Sequence, residues 1–64
     1  MRLTEFWSRM TDYFGSGYVE SFARDHVVTA LAGRTVQQAL ADGESVKVVW
    51  RAVCVDQEVP AALR

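Results

Sequence analysis

Three glycines divide this chain into four short segments, and this division constrains the fold more than any other sequence feature. Gly15, Gly33 and Gly43 each follow a segment whose apolar residues recur every three to four positions, as on an amphipathic helix. A glycine can adopt the left-handed conformation that ends a helix, and a Ser or Thr near each break can cap the next one. At 64 residues the chain has the length of one domain. The pattern predicts a single small all-α domain over residues 1–64.

The first two segments predict a helical hairpin. Helix 1 is expected over Thr4–Phe14 with Thr4 as its N-cap, and helix 2 over Gly17–Ala32 with Ser16 as its cap. Six of the seven aromatic residues lie in these two segments, and a small core needs most of their volume. We therefore expect helices 1 and 2 to be antiparallel, with most of the aromatic side chains between them.

The last two segments predict a short helix and a closing helix. Helix 3 is expected over Val36–Asp42, where Thr35 and Gln38 have the spacing of a capping box. Helix 4 is expected to begin after Ser45 and to end near Gln57, ahead of the Val59-Pro60 pair, and Pro60 is expected to open one last turn. Its valines fit helical rather than strand spacing, so we expect no strands. Its inward residues are Val46, Val49, Trp50 and Val53, with Cys54 at the margin. The result is a compact bundle of three main helices plus one short helix, closed by helix 4.

Helix 4 also carries a second apolar strip. Val48, Ala52 and Val55 lie opposite its inward stripe, and Lys47 and Arg51 border them. Two interpretations remain open. Either helix 4 is central and buried on two sides, or the strip contacts a partner protein or a second copy of the chain. These five residues are the candidate partner face.

No residue pattern predicts catalysis, a cofactor or a metal site. His26 lies on the apolar side of the expected helix 2, which favours a hydrogen-bonded core residue over a general base. Cys54 is the one cysteine, so we expect a buried thiol that acts as a small hydrophobe. A catalytic pair of Cys54 with His26 lacks any surrounding signature, and two such residues do not make a four-ligand zinc site. We therefore expect that the protein is not an enzyme.

A weak nucleic-acid binder is the alternative to a protein-interaction module. The segment Ala39–Val49 has the outline of a helix-turn-helix, with Gly43 in the turn. However, Glu44 replaces the apolar residue usual in that motif, and only Lys47 and Arg51 add positive charge to the second helix. The formal net charge is −1 and no basic run is present, so nucleic acid is not favoured.

The chain shows no targeting or membrane signal. Its N-terminal segment lacks the apolar core of a signal peptide, and no stretch approaches the roughly 18 apolar residues of a membrane span. A single cysteine fits a reducing compartment. We expect a complete, soluble, cytoplasmic protein with no membrane partner.

Six short elements, in order along essentially the whole chain, resemble a family of small actinomycete proteins classed as domain of unknown function 3046. They are Met1-Arg2-Leu3-Thr4-Glu5-Phe6, Arg24-Asp25-His26-Val27, Gly33-Arg34-Thr35-Val36, Ala39-Leu40, Val49-Trp50-Arg51-Ala52 with Cys54, and Val59-Pro60. The family has no assigned catalytic or binding residues to carry over. Its genes often lie beside those of the DNA-repair recombinase and its regulator, so the resemblance implies a link to DNA repair or recombinase control.

One segment departs from the family pattern. Family members often carry Pro or an acidic residue early in helix 4, where this chain has Ser45-Val46-Lys47-Val48. The departure adds apolar surface to the helix. Together, the residues and the resemblance predict a non-enzymatic helical module that binds an unidentified protein or itself.

Overall fold

The computed structural model describes all 64 residues and contains four α-helices and one small strand pair. The helices are α1 (Leu3–Phe14), α2 (Val19–Asp25), α3 (Val36–Ala41) and α4 (Val46–Gln57). Strands β1 (Val27–Val28) and β2 (Arg34–Thr35) pair antiparallel, with Val27 opposite Thr35 and Val28 opposite Arg34. Short 3-10 turns occupy Thr29–Leu31 and Ala61–Leu63. The predicted all-α class is confirmed, with this two-residue ladder as the one addition.

Helix α1 begins one residue earlier than predicted. The N–H of Phe6 donates to the carbonyl of Arg2 at 3.0 Å, which places Arg2 at the N-cap position, although its side chain makes no capping bond. The prediction of Thr4 as the N-cap is therefore wrong, since Thr4 already lies inside the helix. The helix ends at Gly15, as predicted, where φ is 85° and the N–H donates to the carbonyl of Thr11 at 2.8 Å.

Helix α2 is much shorter than predicted at both ends. The expected range Gly17–Ala32 is wrong, because residues 15–18 form a turn and the backbone becomes extended at His26. Ser16 does not cap the helix, since Tyr18 occupies the N-cap position. Beyond Asp25 the apolar residues recur at helical spacing in the sequence, but the α-helix does not continue there.

The segment after α2 forms a strand and a turn, so the expectation of no strands is also wrong. Val27, Val28 and Thr29 are three consecutive β-branched residues, a type that favours extended backbone. The strand pair buries Val28 and leaves Val27 exposed, which is the alternation of a strand. Leu31, at the end of the following 3-10 turn, is buried with Val28 in the core.

The second half of the chain follows the sequence prediction closely. The capping box is confirmed, since the N–H of Gln38 donates to Thr35 Oγ1 at 3.1 Å and the N–H of Thr35 donates to Gln38 Oε1 at 2.9 Å. Helix α3 ends one residue before the predicted Asp42, and Gly43 follows with φ at 89°. Helix α4 has the predicted bounds, with Ser45 at the N-cap position but no side-chain capping bond.

The buried side chains form one cluster to which every helix contributes. Trp50 is only 3% exposed, so its predicted place in the core is confirmed. Its ring meets Phe6 edge-on, with centroids 6.2 Å apart, and joins α4 to α1. A second aromatic group joins α1 to α2, where Phe14 stacks on Phe22 at 4.1 Å. Helix α1 therefore packs against both α2 and α4, and one side of α4 remains open.

Candidate functional site

The candidate partner face divides between the core and the surface. Ala52 is 6% exposed and belongs to the core, so α4 is buried on that side. Val48 and Val55 are 45% and 65% exposed, and Lys47 and Arg51 are also exposed. The buried arc of α4 extends as far as Ala52, and the next residues around the helix face solvent. We call Lys47, Val48, Arg51 and Val55 the α4 face.

A cleft of about 720 Å³ adjoins the α4 face. Residues of α4 line it, together with Glu5 and Arg9 of α1, Met1 ahead of α1 and the C-terminal Arg64. Lys47, Arg51 and Val55 follow one another at intervals of four along α4, and Trp50 and Cys54 form the adjacent row. The cleft therefore has an apolar floor beside a row of cationic side chains.

Positive charge is concentrated in this cleft. Four of the seven Lys and Arg residues line it, against one of the eight Asp and Glu residues. Four bases against one acid give the lining a formal charge of +3, and the remaining three bases against seven acids give −4. The cationic lining residues are Arg9, Lys47, Arg51 and Arg64. The protein therefore has a cationic site, although its formal net charge is −1.

Two of these cations are held by the protein and two are free. Arg9 pairs with Glu5 at 3.1 Å and also donates to the terminal backbone oxygen of Arg64. Arg64 in turn donates from Nε to the carbonyl of Val59 at 2.7 Å. Lys47 and Arg51 form no ion pair with any acidic side chain. Both therefore remain available to an anionic group from outside the chain.

Cys54 forms part of the apolar floor. It is a free cysteine and is 3% exposed. Burial raises the pKa of its thiol, while Arg64 and Arg9 act in the opposite direction with smaller effects. The thiol is therefore protonated at neutral pH and contributes apolar surface, because a reactive cysteine depends on its thiolate.

His26 is hydrogen-bonded, as expected, but it is not a core residue of a helix. It occupies the C-cap position of α2, with its side chain 39% exposed and its ring stacked on Phe22 at 4.6 Å. Its Nε2 lies 2.9 Å from Oδ2 of Asp56, near the end of α4. No serine, threonine or cysteine side chain hydrogen-bonds to the ring, and Cys54 lies with the arginines of the cleft instead.

The chain holds no cluster of three or more His, Cys, Asp or Glu side chains that could bind a metal ion. The His26–Asp56 pair joins the end of α2 to the end of α4. Sequence reasoning missed it because 30 residues separate the two partners and no local pattern links them.

Arg34 is a second residue whose role sequence reasoning missed. Its guanidinium donates to the carbonyl of Leu31 at 2.8 Å, to Asp42 at 3.1 Å and to Glu44 at 2.7 Å. The hydrogen bonds to Glu44 first and Asp42 second raise the pKa of Arg34. Glu44 is the residue that departs from the helix-turn-helix pattern. Its ion pair with Arg34 links the turn between α3 and α4 to β2.

Comparison with known proteins identifies one related family. The family model described as "Protein of unknown function (DUF3046)" matches residues 1–62. No curated protein and no solved structure matches the chain. Each helix is too short or too polar to cross a membrane. The family description names no ligand or reaction.

Proposed function

We propose that this chain, which belongs to the DUF3046 family of proteins of unknown function, is a non-enzymatic helical module that binds a partner protein through its α4 face. The supporting observation is the exposure of Val48 and Val55 on a helix whose other sides are packed. Burial of such aliphatic side chains against a partner is favourable, because it removes apolar surface from water. The free cations Lys47 and Arg51 border these valines and give the contact a polar rim.

The chemistry of the reactive side chains supports a non-enzymatic role. The thiol of Cys54 is protonated and almost completely buried, and the ring of His26 is engaged with Asp56. No serine, threonine or cysteine side chain hydrogen-bonds to His26, so the His26–Asp56 pair has no nucleophile to activate.

The proposal includes a cytoplasmic location, because a free thiol such as that of Cys54 stays reduced there. It also includes a link to DNA repair or recombinase control, for which the family resemblance is the only support. The partner is a protein of that compartment or a second copy of the chain.

Nucleic-acid binding is the second candidate, favoured by the four basic residues of the cleft. Two features weigh against it. The rest of the protein carries a formal −4, which repels a long polyanion that extends beyond the cleft. The first turn of α4 presents Val46, Lys47 and Val48, whereas base recognition needs several polar side chains there.

Affinity capture from the native cytosol tests the proposal. The bait is the wild-type chain, the double variant V48E/V55E, or a control Q37E, which places one new carboxylate on an exposed residue of α3. We expect a protein that binds to wild type and Q37E but not to V48E/V55E. Partners that V48E/V55E retains at full yield would contradict the proposal.

Two further measurements separate the alternatives. Sedimentation of the wild type and V48E/V55E detects self-association through the same face. Fluorescence anisotropy of labelled duplex and single-stranded DNA, at low and then physiological salt, tests the second candidate. Saturable binding that weakens steeply with salt would favour nucleic acid, because phosphate contacts release counterions.

A further inference from the structure

We propose that the cleft binds a partner segment in which carboxylate side chains flank one large apolar side chain. This inference rests on the proposed function and specifies the chemistry of the partner. The apolar side chain of the partner occupies the floor at Trp50 and Cys54, and its carboxylates meet the cations on either side.

The arrangement of the lining provides the first argument. Lys47 and Arg51 lie on the outward side of the floor, one helical turn apart, so carboxylates on neighbouring residues of the partner can reach both. Arg9 lies on the α1 side and is held by Glu5 and by the terminal backbone oxygen of Arg64. A guanidinium held in place loses little conformational freedom when it binds a carboxylate.

The size of the cleft provides the second argument. A volume of about 720 Å³ lies in the range of pockets that enclose a small ligand, roughly 300–1,000 Å³. That space admits several side chains of a partner segment rather than a whole helix. Interfaces of this kind depend on a central apolar anchor in a desolvated pocket, with charged groups at the rim.

The distribution of charge provides the third argument and distinguishes an acidic peptide from nucleic acid. A short acidic segment keeps its carboxylates within the +3 lining, while a nucleic acid extends its phosphates over a surface that is formally −4. The apolar floor at Trp50, Cys54 and Val55 also offers little to a phosphate backbone. The thiol of Cys54 is a weak donor, and the indole N–H of Trp50 points to the terminal backbone oxygen of Arg64 at 3.5 Å.

The test is a selection of random displayed peptides on the full chain, followed by affinity measurements on the selected peptides. We expect the selected peptides to be enriched in Asp and Glu around a single Leu, Phe or Trp. Replacing their acids by amides, or their anchor by Ala, is expected to weaken binding about tenfold, since a few rim charges or one anchor carry energies of that order. The double variant K47E/R51E should weaken binding by about as much or more, while R24E, a charge reversal on α2, should not.

The outcomes distinguish this inference from the proposed function. The selected peptides could lack acidic enrichment and yet lose their binding to V48E/V55E. That result would overturn the inference of an acidic partner and leave docking at the α4 face intact. Peptides of any composition that bind equally to wild type, K47E/R51E and V48E/V55E would contradict both. A selection that yields no binder, or displacement of the peptides by duplex DNA at physiological salt, would also overturn the inference.

Discussion

Trp50 lies where α1, α4 and the C-terminal turn meet. Its ring contacts Phe6 edge-on, and one edge forms part of the cleft floor. We expect Trp50→Ala to lower the free energy of unfolding by about 3–5 kcal/mol, the usual cost of deleting a large buried aromatic side chain. Urea unfolding followed by far-UV circular dichroism measures this, with Trp50→Phe as the milder control. A loss below about 1 kcal/mol would show that the ring does not hold α4 to α1.

Cys54 gives the protein a predictable response to alkaline pH. Its pKa is raised above the ordinary value of 9.0 by burial, so the folded state favours the protonated thiol. The unfolded chain therefore ionises first, and the stability that this thiol provides is fully present below pH 9 and is lost as pH rises through the folded pKa. We expect the urea midpoint of the wild type to fall above pH 9 more steeply than that of Cys54→Ala. Parallel decreases in the two proteins would contradict this prediction.

Local side-chain contacts were predictable from the sequence and distant ones were not. The capping box of Thr35 and Gln38 was found because its two partners lie three residues apart, at a spacing that a helix N-terminus requires. The contact between His26 and Asp56 spans 30 residues and follows from how α2 and α4 pack. No pattern within either segment specifies that packing.

Apolar spacing predicted α4 correctly and α2 incorrectly, for a physical reason. In α4, the inward valines recur on one side of a helix that also buries Trp50, so tertiary packing outweighs the low helix propensity of valine. After Asp25, the β-branched residues Val27 and Val28 pair with the strand Arg34–Thr35, and this pairing satisfies backbone hydrogen-bonding groups in the extended form. A strand of two residues is too short to show alternation in sequence.

Arg34 links the β-ladder to the turn that precedes α4. Lys cannot reproduce its three simultaneous contacts with Leu31, Asp42 and Glu44, because a single ammonium lacks the fork geometry of a guanidinium. We expect Arg34→Lys to lower the Tm more than Arg24→Lys, whose only partner is the neighbouring Asp25. Thermal melts of the two variants give the comparison. Equal Tm values would contradict the role assigned to Arg34.

The two sides of α4 are expected to respond oppositely to the same substitution. Val48→Glu and Val55→Glu place a carboxylate in solvent and should leave the protein folded, because both sites are exposed. Val49→Glu and Val53→Glu bury a charge at fully enclosed positions and should unfold it. Circular dichroism of the four variants makes the test. Unfolding by either Val48→Glu or Val55→Glu would show that these residues belong to the core and would remove the basis for a docking face.

On the scale of the whole molecule, charge is separated although its sum is close to zero. Arg9 and Arg64 are 55 residues apart in sequence and meet at the cleft, where Lys47 and Arg51 join them from α4. The sequence contains no run of basic residues, so sequence analysis predicted only the two cations of α4, Lys47 and Arg51, at this surface. The α4 half of the site was thus predictable from helical spacing, and the α1 and C-terminal half required the packed structure.

The central claim is that the α4 face binds a partner protein, and cross-linking from that face tests it most directly. A photoreactive phenylalanine analogue replaces Val55, which is 65% exposed, or Gln37, an exposed residue of α3 that serves as the control. After irradiation in the native cytosol, we predict a defined cross-linked partner from position 55 and none from position 37. Cross-linking that is absent at position 55, or equal at the two positions, would contradict the claim.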